Sequence, residues 1–320
     1  MSDNINTSIW IVGTGNISYD YVKVLKNLNC NISAIGLSRK SCDSFYEGTG
    51  VKTYIGGLFN FLETNPEKVD YAMVTTNEHK LSEISCALIE YGIKNILIEK
   101  PASLTIKDLE ELIRLKDKHG VNVVIGYNRR FYESVKKCKK IIMENDSPIN
   151  FKFDFTEWVH TIDFKKYSDI ELQRWFLCNS SHVVDLAFYL FGNPKSLNCD
   201  VMGNLDWHSP SIFCGSGKTI NDNLFTYNSN WSSAGRWGIE IFLSGYKLIL
   251  KPLEKLYIQK SGDLVETEIE LDSDIDLKFK PGFYEQCKHF LNKNFSDFCT
   301  LEQQLENFKW YHQITKYKEI

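Results

Sequence analysis

The stretch Ile9 to Ser18, IWIVGTGNIS, most constrains what this chain can fold into, because a buried-strand pattern runs directly into closely spaced glycines. Ile9 to Val12 read as the end of a strand. Gly13 then makes a tight turn, Gly15 removes the side chain that would block a phosphate, and Ser18 stands where a third glycine is usual. A helix beginning at about Asn16 would point the free N–H groups of its first residues, Asn16 and Ile17 among them, at an anion. Alone, the motif also describes an ordinary strand-to-helix turn, so the rest of the chain must decide.

The rest of the first half fits a nucleotide-binding domain. Apolar, β-rich runs near 8–13, 31–37, 69–76, 94–99 and 121–127 alternate with helical patterns, which implies a parallel sheet covered by helices. After about residue 130 the character changes to a helix at 132–144, a strand at 149–159, a helix at 180–191 and several strands between 197 and 271. Runs such as LFTYNSNW, RWGIEIFL, YKLILKPL and KLYIQK alternate as neighbouring antiparallel strands with one exposed face do. Helical patterns at 282–293 and 301–318 close the chain. The expected fold class is α/β, with an N-terminal Rossmann domain on a parallel sheet and a C-terminal α+β domain on a large, mostly antiparallel open sheet. The 320 residues suit two such domains, 1–125 for the dinucleotide and 126–320 for substrate binding and oligomerisation, with the last helix free to pack back on the first domain.

Composition narrows the function classes. A net charge of -4 with no basic tail argues against general affinity for nucleic acid or anionic lipid. Nine cysteines without a CxxC pair or regular spacing fit a reduced protein better than a disulfide framework, and the histidines and acids show no metal-ligand spacing. The polar start MSDNINTS has no apolar stretch of a secretory leader, and no run approaches the length of a membrane span, so a cytoplasmic location is expected.

Cofactor preference is read from the end of the second strand. A Rossmann domain selective for NAD carries an acidic residue about 20 positions past the glycines. Here Ser38, Arg39 and Lys40 occupy that place, and no carboxylate follows until Asp43. A hydroxyl and two cations suit the 2′-phosphate of NADP(H), favoured here over NAD(H), although Arg39 and Lys40 on a solvated loop would read the same way. The third strand ends in Thr75, Thr76 and Asn77, which places them at the crevice where open α/β sheets bind ligands; Asn77 would serve equally as a helix cap.

The next strand ends in NILIEKPAS, and Glu99-Lys100-Pro101 at that position resembles the Gfo/Idh/MocA oxidoreductases, relatives of glucose-fructose oxidoreductase and inositol dehydrogenase. Gly126 to Phe131 (GYNRRF), His182-Val-Val-Asp185-Leu opening a helix that ends at Leu190-Phe191-Gly192, and the tryptophan-rich second half extend the resemblance over almost the whole chain. It implies NAD(P) in the first domain, with Glu99 and Lys100 beside it, and a sugar or polyol against the second, with Tyr127 and Asn128 contributing. It also implies a dimer or tetramer formed through the open sheet. On this resemblance Lys100 polarises the reacting carbon–oxygen bond and His182 moves the hydroxyl proton. A histidine near pKa 6.5 in the first turn of a helix is suited to that task. Asp185, one turn on, would either orient His182 or stabilise the helix start.

The chain departs from the family where an aspartate usually stands four residues before the histidine. That slot is Cys178, preceded by Arg174-Trp175 in place of glycines and followed by Asn179. Arg174 and Trp175 suit an anionic group and a sugar or base face, or a domain interface; Arg236 and Trp237 lie in a stretch similar to enzymes of surface-polysaccharide and sugar-nucleotide pathways. The expected function is hydride transfer between nicotinamide and a hydroxyl or keto carbon of a sugar or nucleotide-linked sugar. The alternatives are a non-catalytic dinucleotide-binding regulator or subunit, or a redox-neutral enzyme with a transiently reduced cofactor.

Overall fold

A computed structural model describes residues 7–145, 147–272 and 274–317. The chain divides into two compact units, Met1–Asn128 with Ile275–Leu305, and Arg129–Asp274 with Glu306–Ile320.

The first unit opens as alternating strands and helices: β1 (Ser8–Val12), α1 (Asn16–Asn27), β2 (Asn31–Gly36), α2 (Arg39–Thr49), β3 (Lys52–Ile55), α3 (Gly57–Glu63), β4 (Tyr71–Val74), α4 (Leu81–Tyr91), β5 (Asn95–Glu99), α5 (Ile106–His119) and β6 (Asn122–Gly126). The middle strands β1, β4 and β5 are nearly continuous apolar runs because helices cover both faces. In space β1 lies between β2 and β4, with β3 at one edge and β5 and β6 beyond β4, all parallel. The strand order therefore reverses between β1 and β4, and a crevice opens there at the carboxyl ends of the strands.

The second unit begins with α6 (Glu133–Met143), β7 (Asn150–Asp154), a short α7 (Asp169–Gln173) and α8 (Ser181–Phe191). Seven strands follow: β8 (Pro194–Met202), β9 (Ile212–Thr219), β10 (Leu224–Asn230), β11 (Gly238–Leu243), β12 (Tyr246–Leu250), β13 (Tyr257–Lys260) and β14 (Thr267–Glu268). They and β7 form one sheet in which β7 pairs parallel with β10 and every other neighbour is antiparallel. Phe151, Phe153, Phe225, Ile239 and Ile241 line its inner face. Against them lies α8, buried along almost its whole length, with Phe191 stacked on Phe151 at 4.1 Å. The outer face is charged instead, with Lys152 and Lys247 2.8 and 3.1 Å from Glu240 and Lys251 3.7 Å from Asp154.

The chain closes with α9 (Asp274–Lys278), α10 (Phe283–Leu291), β15 (Cys299–Thr300) and α11 (Leu301–Thr315). Two strands lay outside the sequence expectation. β3 is a half-exposed edge strand, without the apolar run that betrays a central one, and β15 is two residues long, antiparallel to β6. The strand expected over 149–159 stops at Asp154, whose side chain accepts from the Thr156 N–H as the backbone leaves the ladder.

Candidate functional site

In the first unit the glycine turn is built as its sequence requires. Gly13 has φ +127°, and a Cβ there would fall 2.6 Å from the carbonyl oxygen of Thr75. At Gly15 a Cβ would meet nothing within 4 Å, so the space ahead of α1 is open to a ligand that approaches the backbone. Ser18 is fully buried in the place of the third glycine, and its hydroxyl is satisfied by Thr75 Oγ1 at 2.9 Å. Thr75 Oγ1 donates in turn to the carbonyl of Val12 at 3.1 Å, so this threonine ties β4 to the glycine turn. Thr76, one position on, keeps a buried hydroxyl without a hydrogen-bond partner among the described residues, as a contact to a bound ligand would leave it.

Ser38 is the N-cap of α2 and accepts from the Ser41 N–H at 3.2 Å. Arg39 and Lys40 follow in the exposed first turn, which holds no acidic residue. Asn16 and Ile17 open α1, and Asn77 is the exposed residue before a short turn at Glu78–Lys80. These residues fit a dinucleotide: a glycine cradle with its free space, an orphaned hydroxyl beside it and a cationic turn at the end of β2.

At the end of β5, Tyr21 Oη donates to Glu99 at 2.6 Å, while burial pushes the Glu99 carboxyl up against the opposing pull of Tyr21 and Lys100. Lys100 Nζ lies 3.7 Å from Glu78 just past β4, and its side chain is 11% exposed. Tyr127 is buried with its hydroxyl near Gln304, and Asn128 donates to the carbonyl of Pro281 at 3.0 Å, so both pack inside this unit.

In the second unit a π-helical turn, Phe176–Ser180, runs into α8 and carries Cys178 and Asn179 just ahead of His182. Cys178 is buried, and His182 is 6% exposed. A carboxylate does reach this turn, but from another element. Glu157, three residues past β7, accepts from Asn179 Nδ2 at 2.7 Å and from Ser180 Oγ at 2.5 Å. Burial pushes its carboxyl up, and Ser180, Asn179 and Arg236 oppose that. Sequence reasoning missed Glu157; an acid in the aromatic run Phe153 to Trp158 was the available signal.

Asp185 serves neither role expected of it. Both its oxygens are taken by Arg130, at 2.8 and 2.6 Å in a buried bidentate pair. Arg174 and Trp175, expected near substrate, are buried in an aromatic cluster. The Arg174 guanidinium lies 4.7 Å from the Tyr317 ring, and Trp175 packs edge-on to Tyr167 and Trp207. Trp237 lies near the histidine, its ring centroid 6.0 Å from that of His182, and Arg236 lies against Trp237. The Arg236 guanidinium lies 4.5 Å from the ring centres of both Trp158 and Trp237, and that of Arg129 4.9 Å from Trp237.

Residues 7–127 match the family model described as the oxidoreductase family GFO_IDH_MocA, NAD-binding Rossmann fold. Over these residues the chain is similar to the NAD-binding Rossmann domain of the Gfo/Idh/MocA oxidoreductases. Over 150 residues the chain is 28% identical to scyllo-inositol 2-dehydrogenase (NADP(+)) IolW of Bacillus subtilis, a match covering 43% of this chain and 39% of the relative. It is also 29% identical over 183 residues to the 2,7-anhydro-N-acetylneuraminate hydratase of Mediterraneibacter gnavus, covering 53% of this chain and 47% of that protein. The chain thus spans less than half the length of these curated relatives. Its fold is shared with an oxidoreductase from Agrobacterium radiobacter solved with NAD+, L-tartaric acid and magnesium, at a TM-score of 0.78 and 11% identity over 97% of this chain and 96% of that one. Among the described residues, no group of three or more His, Cys, Asp or Glu could hold a metal, and no helix is long and apolar enough to cross a membrane.

Proposed function

We propose that the chain is an NADP(H)-dependent oxidoreductase acting at a hydroxyl or keto carbon of a sugar or nucleotide-linked sugar. The observation that carries this reading lies in the first unit. Lys100, 3.7 Å from Glu78, stands at the carboxyl ends of β4 and β5, the same edge of the sheet as the open Gly15 cradle. A cation there is suited to an oxygen that gains negative charge during reaction. Gly13, Gly15 and the first turn of α1 would hold the pyrophosphate, Thr76 and Asn77 the neighbouring ribose or nicotinamide, and Ser38, Arg39 and Lys40 the 2′-phosphate. Bound, a nicotinamide supplies the hydride acceptor or donor. His182 takes the hydroxyl proton during oxidation and returns it during reduction, and Lys100 offsets charge on the oxygen. The resemblance to an NADP+-dependent inositol dehydrogenase supports the cofactor and the polyol-like substrate class. We also read the outer face of the second-unit sheet as the surface of a homo-oligomer.

Fluorescence titration with NADPH and NADH tests the cofactor. Wild type should prefer NADPH, and Arg39→Asp should weaken it about 10- to 100-fold, the worth of a hydrogen bond between charged groups. Turnover against polyols, sugars and nucleotide sugars tests the site: Lys100→Ala and His182→Ala should abolish it while NADPH affinity holds. Unchanged turnover in both variants would sink the assignment. A second reading, a dinucleotide-binding subunit without turnover, is favoured by the buried Cys178 in the usual aspartate slot; it predicts NADPH binding and no activity in wild type. The relationship to a hydratase favours a third, redox-neutral cycle, which net NADPH release would exclude.

A further inference from the structure

Arg236 is half-buried, yet among the described residues its guanidinium makes no hydrogen bond and no ion pair; its contacts are with two indoles, each 4.5 Å away. Stacking uses the faces of a guanidinium and leaves the N–H donors at its edge uncommitted. The indoles are themselves fixed. Trp158 donates its Nε1–H to the carbonyl of Gly235 at 2.9 Å, and Trp237 is 4% exposed against the sheet. The guanidinium fork is therefore held between two indoles, and none of its N–H donors is hydrogen-bonded among the described residues.

A second cation lies on the same indole. Arg129 lies 4.9 Å from the Trp237 ring, so two guanidiniums share one indole and repel. Two carboxylates, Glu157 and Glu254, act on Arg236 through their charge, but the hydrogen bonds of Glu157 go to Asn179 and Ser180. The other arginines of this unit are differently placed: Arg130 is spent on Asp185, and Arg174 is buried against Tyr317. Beside the fork, Trp158 leaves 46% of its surface exposed, an apolar ring against which a sugar can lie. The other indole of the stack, Trp237, is 6.0 Å from His182.

We propose that Arg236, fixed by Trp158 and Trp237, is a substrate-specificity residue that takes a paired-oxygen anion, the carboxylate or phosphate of an acidic sugar, beside His182. The proposal rests on reading the second unit as the substrate-binding one, and it narrows the substrate from sugars in general to negatively charged ones. A neutral polyol would not offer the paired acceptor oxygens that the guanidinium edge is suited to.

Calorimetric titration at fixed ionic strength, with NADP+ present, tests it using glucuronate, glucose 6-phosphate and glucose as probes. One or both anions should bind at least 10-fold more tightly than glucose. That preference should fall about 10- to 100-fold in Arg236→Ala and recover only in part in Arg236→Lys, which keeps the charge and loses the fork. Glucuronate alone binding assigns a carboxylate, and glucose 6-phosphate alone assigns a phosphate. Equal affinity for glucose, anion binding unchanged in Arg236→Ala, full recovery in Arg236→Lys, or no binding of either anion would each overturn the proposal. A protein that binds NADPH but shows no anion preference fails this inference alone. One that binds no dinucleotide fails the cofactor reading, while the comparison of Arg236 variants is still read from the sugar titrations.

Discussion

Glu157 accepts a 2.7 Å hydrogen bond from Asn179, the residue directly after the cysteine that occupies the family's aspartate slot. The buried carboxylate of this turn is thus supplied by the segment that leaves β7 rather than by the turn itself. Its state is set by a contest in which burial raises its pKa from 4.5 and Ser180, Asn179 and Arg236 lower it, with burial ahead. A carboxyl whose folded pKa is raised contributes stability that is fully present below the unfolded value and lost as pH rises through the folded one. The stability of wild type relative to Glu157→Gln should therefore fall as pH rises from about 4.5 toward 7. Urea denaturation of both proteins across that range checks it. A difference that is flat, or that grows with pH, would show that the two hydrogen bonds outweigh burial.

Arg130 and Asp185 carry a different expectation, because both are buried and each satisfies the other. Replacing one partner leaves a charge in the interior without compensation, at a cost of about 3–5 kcal/mol. Asp185→Asn should lose that much in denaturant unfolding. The double variant Arg130→Met/Asp185→Leu should recover most of it, since apolar groups of similar volume need no partner. Equal losses in the single and double variants would mean that packing around Tyr189, whose ring lies 4.7 Å from the Arg130 guanidinium, dominates instead.

Gly13 and Gly15 separate structural from ligand-binding glycine. An added Cβ collides with Thr75 at Gly13 and meets only open space at Gly15, where φ is -83° and suits any residue. Gly13→Ala should destabilise the protein by more than about 1 kcal/mol, through both the clash and the backbone strain. Gly15→Ala should change stability by about 0.5 kcal/mol or less yet weaken NADPH binding about 10-fold or more, because the methyl stands where a phosphate must approach. Thermal melts and NADPH titration of the two variants check the contrast. Unaltered NADPH affinity in Gly15→Ala would place the pyrophosphate elsewhere.

What the sequence made legible follows the same division. The alternation of apolar runs and helices was readable because buried parallel strands are apolar on both faces, and β1, β4 and β5 are such strands. β3 and β15 were not, since one is a half-exposed edge and the other is two residues long. The glycine turn was readable because only glycine tolerates φ +127° against Thr75. The partners of single polar side chains were not. Asp185 lies one helical turn from His182, but its bidentate partner is 55 positions away in sequence, and Glu157 meets Asn179 across 22. By residue type Arg174 and Trp175 suited either a ligand or a domain interface, and the fold shows them packed with Tyr167, Trp207 and Tyr317.

His208 should be a second pH-sensitive group, with the opposite sign to Glu157. Its Nδ1 lies 2.8 Å from the carbonyl of Pro210 and its Nε2 2.5 Å from the hydroxyl of Tyr317. A carbonyl only accepts, so Nδ1 carries the proton and Nε2 accepts from Tyr317, which is the neutral tautomer. Burial, with the Arg174 charge nearby, holds the imidazole down to about 4 from 6.5. Here the charged form is the costly one. The folded state binds this proton more weakly than the unfolded chain, so stability is full above pH 6.5 and is lost as pH falls toward 4, up to about 3 kcal/mol in all. His208→Gln should remove most of that loss, so that its stability falls less than wild type's between pH 7 and 5. Tyr317→Phe should keep the loss, because the ring stays buried beside Arg174, while lowering stability at pH 7 by about 1 kcal/mol for the missing hydrogen bond. Urea unfolding of the three proteins at pH 7 and pH 5 separates these outcomes. Parallel losses in wild type and His208→Gln would assign the acid sensitivity to other groups.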